Sequence, residues 1–173
     1  METLNRTGAA IFMLFLATAA WQDLRKKSVE VRVFVVFGAA AFLWNILIIW
    51  YMAGFPGEPE TITGTGEIIG TRIKERMAGC LVGAVLLVLA WTSRGGIGAG
   101  DGCFFLVSGL LLEAGQNFCL FLAGLFLCGL WSLGVFTRER LAGHAGSGRI
   151  TLAFLPFVAA AGIAGTAAGF IGK

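Results

Sequence analysis

The stretch VFVVFGAAAFLWNILIIWYMA, residues 33–53, contains no charged side chain. An α-helix needs about 20 consecutive apolar residues to cross the hydrocarbon core of a bilayer. Inside that core no water is available to the backbone, so a spanning segment satisfies its N–H and C=O groups as a helix and not as a strand of an open sheet. The stretch therefore predicts one transmembrane helix.

Apolar stretches of similar length recur along the chain, each bounded by a short cluster of charged residues, glycine or proline. Of the 173 residues, 57% are hydrophobic and only 13% are charged, a composition typical of integral membrane proteins. The predicted spans are 4–22, 33–53, 78–93, 101–116, 117–136 and 151–171. We therefore predict an all-α fold, a polytopic membrane helical bundle of about six transmembrane helices that forms a single integral-membrane domain over residues 1–173.

Two of these boundaries rest on particular residues. The fourth and fifth spans are divided at EAGQN, residues 113–117, which interrupts an apolar run too long for one crossing. The first span resembles a secretory signal peptide, since Arg6 precedes the apolar stretch and ATAAWQ at 17–22 supplies small residues. The basic segment DLRKK at 23–27 follows directly and favours a retained membrane anchor.

The basic residues predict the orientation of the bundle. Six spans place the loops 23–32, 94–100 and 137–150 on one side of the membrane, and basic residues are enriched in cytoplasmic loops. That side carries eight of them: Arg25, Lys26, Lys27, Arg32, Arg94, Arg138, Arg140 and Arg149. The other side carries five: Arg6, Arg72, Lys74, Arg76 and Lys173. We therefore predict that both termini lie outside the cytoplasm.

The longest predicted outside segment, residues 54–77, has amphipathic spacing from Glu67 to Met77. Its apolar side could lie against the membrane surface, and a solvated loop with one short helix fits equally well. We assign this segment no functional site.

The chain contains two aspartates, and each stands at the cytoplasmic end of a predicted span. Asp23 follows the first span and Asp101 opens the fourth, so both lie at the same depth. Two carboxylates that approach each other can hydrolyse a peptide bond, because one keeps its proton and polarises the carbonyl while the other takes a proton from water. This chemistry requires no metal ion and no cofactor.

Other roles also fit aspartates at these positions. Asp101 follows glycines at the start of a helix, where its carboxylate could cap free N–H groups. Asp23 could pair with the basic residues 25–27, and Asp101 could serve as an ion or proton relay. The positions alone do not separate these roles from a catalytic pair.

Glycine precedes Asp101 at alternate positions in GIGAGD, residues 96–101. Neither helix nor strand stability requires this pattern, whereas glycine removes the side chains that would keep another backbone at a distance. An extended peptide could therefore approach Asp101 closely. A phosphate-binding loop is the competing explanation, but it requires Gly-Lys-Ser/Thr, and Gly100 is followed here by Asp101 and Gly102.

Three segments resemble the type IV prepilin peptidases and the related archaeal preflagellin peptidases, which are G-x-G-D aspartyl proteases of the inner membrane. DLRKKSV at 23–29 is similar to the family's Asp-x-Arg segment after its first span, and GAGD at 98–101 matches its G-x-G-D motif. FLPF at 154–157 is similar to the proline-containing segment of the family's last core helix. The resemblance implies that Asp23 and Asp101 are the catalytic pair.

The resemblance also implies the rest of the function, with Gly98 and Gly100 shaping the backbone of the site. The protein would be a membrane aspartyl endopeptidase that removes the basic leader from a pilin-like precursor at the cytoplasmic face of the inner membrane. Its partners would be that precursor and the lipid bilayer, with no nucleic acid, no cofactor and no metal. The alternative from another class is a non-enzymatic transporter or scaffold subunit that uses Asp101 as an ion or proton site.

Cysteine usage is similar to that of the short, peptidase-only branch of the family, which is associated with tight-adherence pili. Longer members carry two Cys-x-x-Cys pairs in an extra cytoplasmic domain and also methylate the new N-terminus. The cysteines here form no such pair and are predicted to be small buried residues: Cys80, Cys103, Cys119 and Cys128. The single histidine, His144, fits a solvated loop better than a metal site.

The chain departs from the family pattern near both aspartates. Residues 30–31 are Glu-Val where Pro-Asn is common, and without that proline a helix can run through residues 29–33. Cys103 lies where family members commonly have a lysine shortly after the motif. Elsewhere, GCLVG at 79–83 and GTAAG at 165–169 predict close packing of helices inside the bundle.

Overall fold

The computed structural model describes residues 2–26, 29–53, 61–93, 98–141, 153–169 and 171. The helices, in chain order, are α1 (Glu2–Lys26), α2 (Val31–Ala53), α3 (Thr61–Thr92), α4 (Ala99–Leu111), α5 (Ala114–Leu141) and α6 (Leu155–Ala167). No strand occurs among the described residues. The all-α fold with six helices, predicted from the apolar stretches, is confirmed.

Among the described residues, three helices are long and apolar enough to cross a membrane: α1 over Thr7–Lys26, α2 over Val31–Met52 and α5 over Ala114–Leu141. α4 and α6 have 13 residues each. At 1.5 Å per residue they are about 20 Å long, against about 30 Å for the hydrocarbon core. α4 is shorter than the predicted span 101–116 because it ends just before the predicted polar turn. α6 is shorter than the predicted span 151–171, and a proline lies at its start.

The third helix extends further than the sequence predicts. α3 runs without interruption from Thr61 to Thr92, so the amphipathic residues 67–77 belong to the same helix as the span 78–93. For residues 67–77 the sequence left open a helix on the membrane surface or a loop with one short helix. The structure instead has one continuous helix through this segment. Residues 54–60 lie outside the described residues.

The connection between α1 and α2 also differs from the prediction. A helix through residues 29–33 is wrong at Val29 and Glu30, which are not helical. The Gln22 side-chain oxygen accepts a hydrogen bond from the Glu30 backbone N–H at 3.0 Å. This contact fixes the start of α2 without the proline that the family commonly has there.

A cluster of phenylalanines holds α1 against α4. Phe15 of α1 and Phe104 of α4 are fully buried, and their rings stack with centroids 4.9 Å apart. Phe105 is also fully buried and meets Phe104 edge to face at 5.3 Å. Buried aromatic pairs add specific geometry to the burial of apolar area. The cluster therefore fixes the two helices that carry the aspartates.

Glycines bring the backbones of α3 and α4 into direct contact. A Cβ atom on Gly83 would lie 2.2 Å from the Leu106 nitrogen, and one on Gly109 would lie 2.4 Å from the Gly79 carbonyl carbon. No side chain fits at these positions. The packing role predicted for residues 79–83 is confirmed, and it lies within one chain.

Asn117 ties three helices together. Its Nδ2 donates to the Gly79 carbonyl of α3 at 2.9 Å and to the Phe105 carbonyl of α4 at 3.0 Å. Its Oδ1 accepts a hydrogen bond from the Ser108 hydroxyl at 2.7 Å. Both polar side chains are completely buried, where an unpaired polar group would be costly. Asn117, which the sequence predicts only as part of a break between spans, is therefore a buried residue that joins three helices by hydrogen bonds.

Candidate active site

Asp23 lies in the last turn of α1 and is only 8% exposed. Its Oδ2 accepts a hydrogen bond from the backbone N–H of Leu155 at 3.1 Å. Leu155 is the first residue of α6 and is itself buried. The end of the first helix therefore meets the beginning of the last one.

The start of α6 explains why this N–H is available. The first N–H groups of any helix have no partner within the helix. Pro156 has no N–H, and the N–H groups of Phe157 and Val158 both bond to the Phe154 carbonyl. The Leu155 N–H is thus directed at Asp23, and the FLPF segment noted in the sequence forms part of the site.

Asp101 lies in the first turn of α4 and is partly exposed. Gly98 occupies the N-cap position, and the Asp101 N–H donates to the Gly98 carbonyl at 3.1 Å. Asp101 is therefore inside the helix, and the interpretation of this residue as the helix cap is wrong. The side chain that caps a helix in this region is Asp23, which reaches α6 from α1.

The two predicted site glycines have different surroundings. A Cβ atom on Gly98 would lie 3.2 Å from Oδ2 of Asp101, so the absence of a side chain there leaves room for the carboxylate. A Cβ atom on Gly100 would meet nothing within 4 Å. Packing against described residues thus constrains Gly98 and leaves the space beside Gly100 open.

The structure brings the two aspartates within electrostatic range of each other, although they lie on helices far apart in sequence. The negative charge of Asp23 acts directly on the Asp101 carboxyl. From α5, the Cys128 thiol is within range of Asp101 as well. Residues of α1, α4, α5 and α6 therefore lie near one another around the two aspartates.

Two of the basic residues that follow Asp23, Arg25 and Lys26, contact groups other than the Asp23 carboxylate. The Arg25 guanidinium lies 4.5 Å from the centre of the Trp21 ring. Lys26 donates a hydrogen bond to the exposed Glu30 carboxylate, and this contact holds the pKa of Glu30 below its usual range. The structure shows no ion pair between Asp23 and either Arg25 or Lys26. Lys27 lies outside the described residues.

The other candidate ligands do not form a cluster. Within the described ranges, no group of three or more His, Cys, Asp or Glu residues could hold a metal ion. The thiols of Cys80, Cys103, Cys119 and Cys128 are free. Cys119 is exposed and the other three are only partly buried, so the prediction of four buried cysteines is wrong. His144 lies outside the described part of the chain.

An apolar groove of about 400 Å³ runs between α3 and α5, lined by residues that include Leu81, Val85, Leu89 and Phe118. None of the candidate site residues lines it. The groove is therefore separate from the two aspartates.

Residues 10–133 match the type IV leader peptidase family. This range covers more than half of the chain and includes both aspartates and both site glycines, but it ends before α6. No curated protein and no solved structure matches the chain significantly. The apolar helices and the match together define a helical membrane peptidase. The chain belongs to the type IV leader peptidase family.

Sequence reasoning missed two residues that the structure brings into prominence. A partial signal for Leu155 was present, since a proline in FLPF marks the start of a helix, where the first N–H groups have no partner within the helix. That the partner is Asp23 depends on how α1 and α6 pack. Asn117 gave no comparable signal, because a polar residue between apolar runs usually marks a loop.

Proposed function

We propose that the protein is an aspartyl endopeptidase that removes the basic leader from pilin-like precursors at the cytoplasmic face of the inner membrane. Asp23 and Asp101 would be its catalytic pair. The observation that carries the proposal is that two carboxylates from distant parts of the chain lie within electrostatic range of each other. Family membership favours this peptidase over a transporter or scaffold subunit.

Hydrolysis by such a pair uses one proton shared between the carboxylates. The ionised carboxylate takes a proton from water as the water oxygen attacks the scissile carbonyl carbon, and the protonated carboxyl gives its proton to the carbonyl oxygen. The C–N bond then breaks. Its nitrogen receives the proton taken from water, while a hydroxyl of the intermediate returns a proton to the second carboxylate. Both carboxyl groups are restored without a metal ion or a covalent intermediate.

The surroundings of the aspartates fit a substrate that is extended at the cleavage point. A pilin-like precursor has a basic leader in the cytoplasm and a hydrophobic helix in the membrane, and cleavage would follow a glycine at their junction. The open space beside Gly100 would accept the extended backbone near Asp101. The predicted topology, with both termini outside the cytoplasm, puts this end of the bundle at the cytoplasmic surface.

Co-expression of the protein with a pilin-like precursor tests the proposal. Asp23→Asn and Asp101→Asn should each abolish conversion of the precursor to its shorter form, as followed by immunoblot. Glu30→Gln is the matched control, because it removes an exposed carboxylate close in sequence to Asp23. Processing that survives in either aspartate variant would refute the catalytic pair.

A further inference from the structure

The two carboxylates of the candidate site have unequal surroundings. Asp23 accepts the Leu155 N–H and is nearly enclosed. Asp101 is more exposed, and among the described residues no donor bonds to its carboxylate. Burial favours the protonated form of either carboxyl group, and among the described residues only Asp23 has a hydrogen bond that favours its ionised form. The hydrogen bond from Leu155 therefore distinguishes the Asp23 carboxyl group from that of Asp101, a difference that the sequence does not reveal.

The donor to Asp23 is part of a helix N-terminus, which carries a partial positive charge. Other charged groups near Asp23 on its own helix act elsewhere, since Arg25 lies over Trp21 and Lys26 bonds to Glu30. Arg32 of α2 also acts on Glu30. From α4 the facing charge is that of Asp101, and the α6 contact is a backbone N–H.

Packing fixes α6 where this donor can reach Asp23. A Cβ atom on Gly162 of α6 would lie 2.5 Å from the Leu16 side chain of α1. A Cβ atom on Gly124 of α5 would lie 2.6 Å from the Val158 side chain of α6. α6 is thus in close contact with both α1 and α5, so the Leu155 N–H cannot withdraw without repacking the bundle.

We propose that the N-terminus of α6 is a positioning element for the catalytic pair: the Leu155 N–H orients Asp23 and favours its ionised form over that of Asp101, so that Asp23 is the base and Asp101 the acid. This assignment rests on the proposed function. Asp23 takes the proton from the attacking water and later gives it to the leaving nitrogen. Asp101 donates its proton to the carbonyl oxygen and recovers one when the intermediate collapses.

Replacing Leu155 with the α-hydroxy analogue of leucine tests the assignment, because the resulting backbone ester lacks the N–H and retains the side chain. The full-length protein would be made by cell-free translation and reconstituted into phospholipid vesicles. We expect kcat for a pilin-like precursor to fall between about 10-fold and 100-fold with KM little changed. The acidic limb of the pH–activity profile should move to higher pH, because Asp23 loses a donor that favours its ionised form.

The matched control is the corresponding ester at Ile163, an exposed residue of the same helix. It should leave the pH–activity profile unchanged. Equal effects of the two esters, or a Leu155 ester with the wild-type kcat and pH profile, would overturn the assignment. The proposed function fails separately, if the Asp23→Asn or Asp101→Asn protein still cleaves the precursor.

Discussion

The Oδ2 atom of Asp23 accepts a hydrogen bond from the Leu155 N–H at 3.1 Å, although 132 residues separate the two. This bond brings a helix outside the family match to a residue inside it. Asp23 is therefore held by the fold, while Asp101 lies in a less enclosed position on α4. The unequal surroundings of the two carboxylates lead to predictions about protonation, and the packing around them leads to predictions about stability.

Infrared spectroscopy can assign the protonation states, because Asp23 and Asp101 are the only aspartates in the chain. With carbon-13-labelled aspartate, the active protein should show one shifted carboxylic acid band and one shifted carboxylate band. In Asp101→Asn protein the acid band should be lost and the carboxylate band retained. A retained acid band in that variant would instead assign the proton to Asp23.

The site glycines should respond differently to a methyl group. In Gly98→Ala the new Cβ would lie 3.2 Å from Oδ2 of Asp101, so the carboxylate must move and kcat should fall roughly 10-fold. Gly100→Ala meets no described atom within 4 Å. Its effect should therefore appear in KM, through contact with the bound peptide. Steady-state kinetics on both variants would show the contrast, and identical changes in kcat would contradict it.

The close contact of α3 and α4 predicts a large effect of Gly83→Ala on stability. Its Cβ would lie 2.2 Å from the Leu106 nitrogen, and overpacking of this kind costs about 1–3 kcal/mol. Gly129→Ala on α5 is the control, because a Cβ there meets nothing within 4 Å. Unfolding in mixed micelles would measure both. Equal stability of the two variants would argue against this helix contact.

Loss of the hydrogen bonds that Asn117 makes to α3 and α4 should also destabilise the bundle. Asn117→Leu removes two donors to backbone carbonyls and leaves the buried Ser108 hydroxyl without this acceptor, at a cost of about 1–3 kcal/mol. Ser132→Ala changes an exposed polar residue of the same helix and should have little effect. The same unfolding measurement applies, and a Leu variant as stable as the wild type would contradict the role of Asn117.

The sequence predicts the helices well because the signal for a membrane span is local. The run without charge at 33–53 is almost identical in extent to α2, and EAGQN at 113–117 marks the junction of α4 and α5. The extents of α3, α4 and α6 and the connection at 29–30 differ. At 29–30 the outcome depends on the hydrogen bond from the Glu30 N–H to the Gln22 side chain, which no local pattern specifies.

The site was less predictable, because it depends on which helix ends meet. The positions of Asp23 and Asp101 at the same predicted depth identify candidates, but depth does not give their neighbours. The Leu155 donor is a backbone group, so its residue type carries no chemical signal. Only the packing of α6 against α1 and α5 shows where that N–H points.

The most direct test of the proposed catalytic pair is a double-mutant comparison with purified protein in vesicles. The experiment measures kcat/KM for cleavage of a pilin-like precursor by the Asp23→Asn variant, the Asp101→Asn variant and the double variant. Each single substitution should lower kcat/KM by at least about 100-fold. Because two groups that act as a unit are lost together, the double variant should be no slower than the slower single variant. Near-wild-type cleavage by either single variant, or losses that multiply in the double variant, would contradict a shared catalytic site.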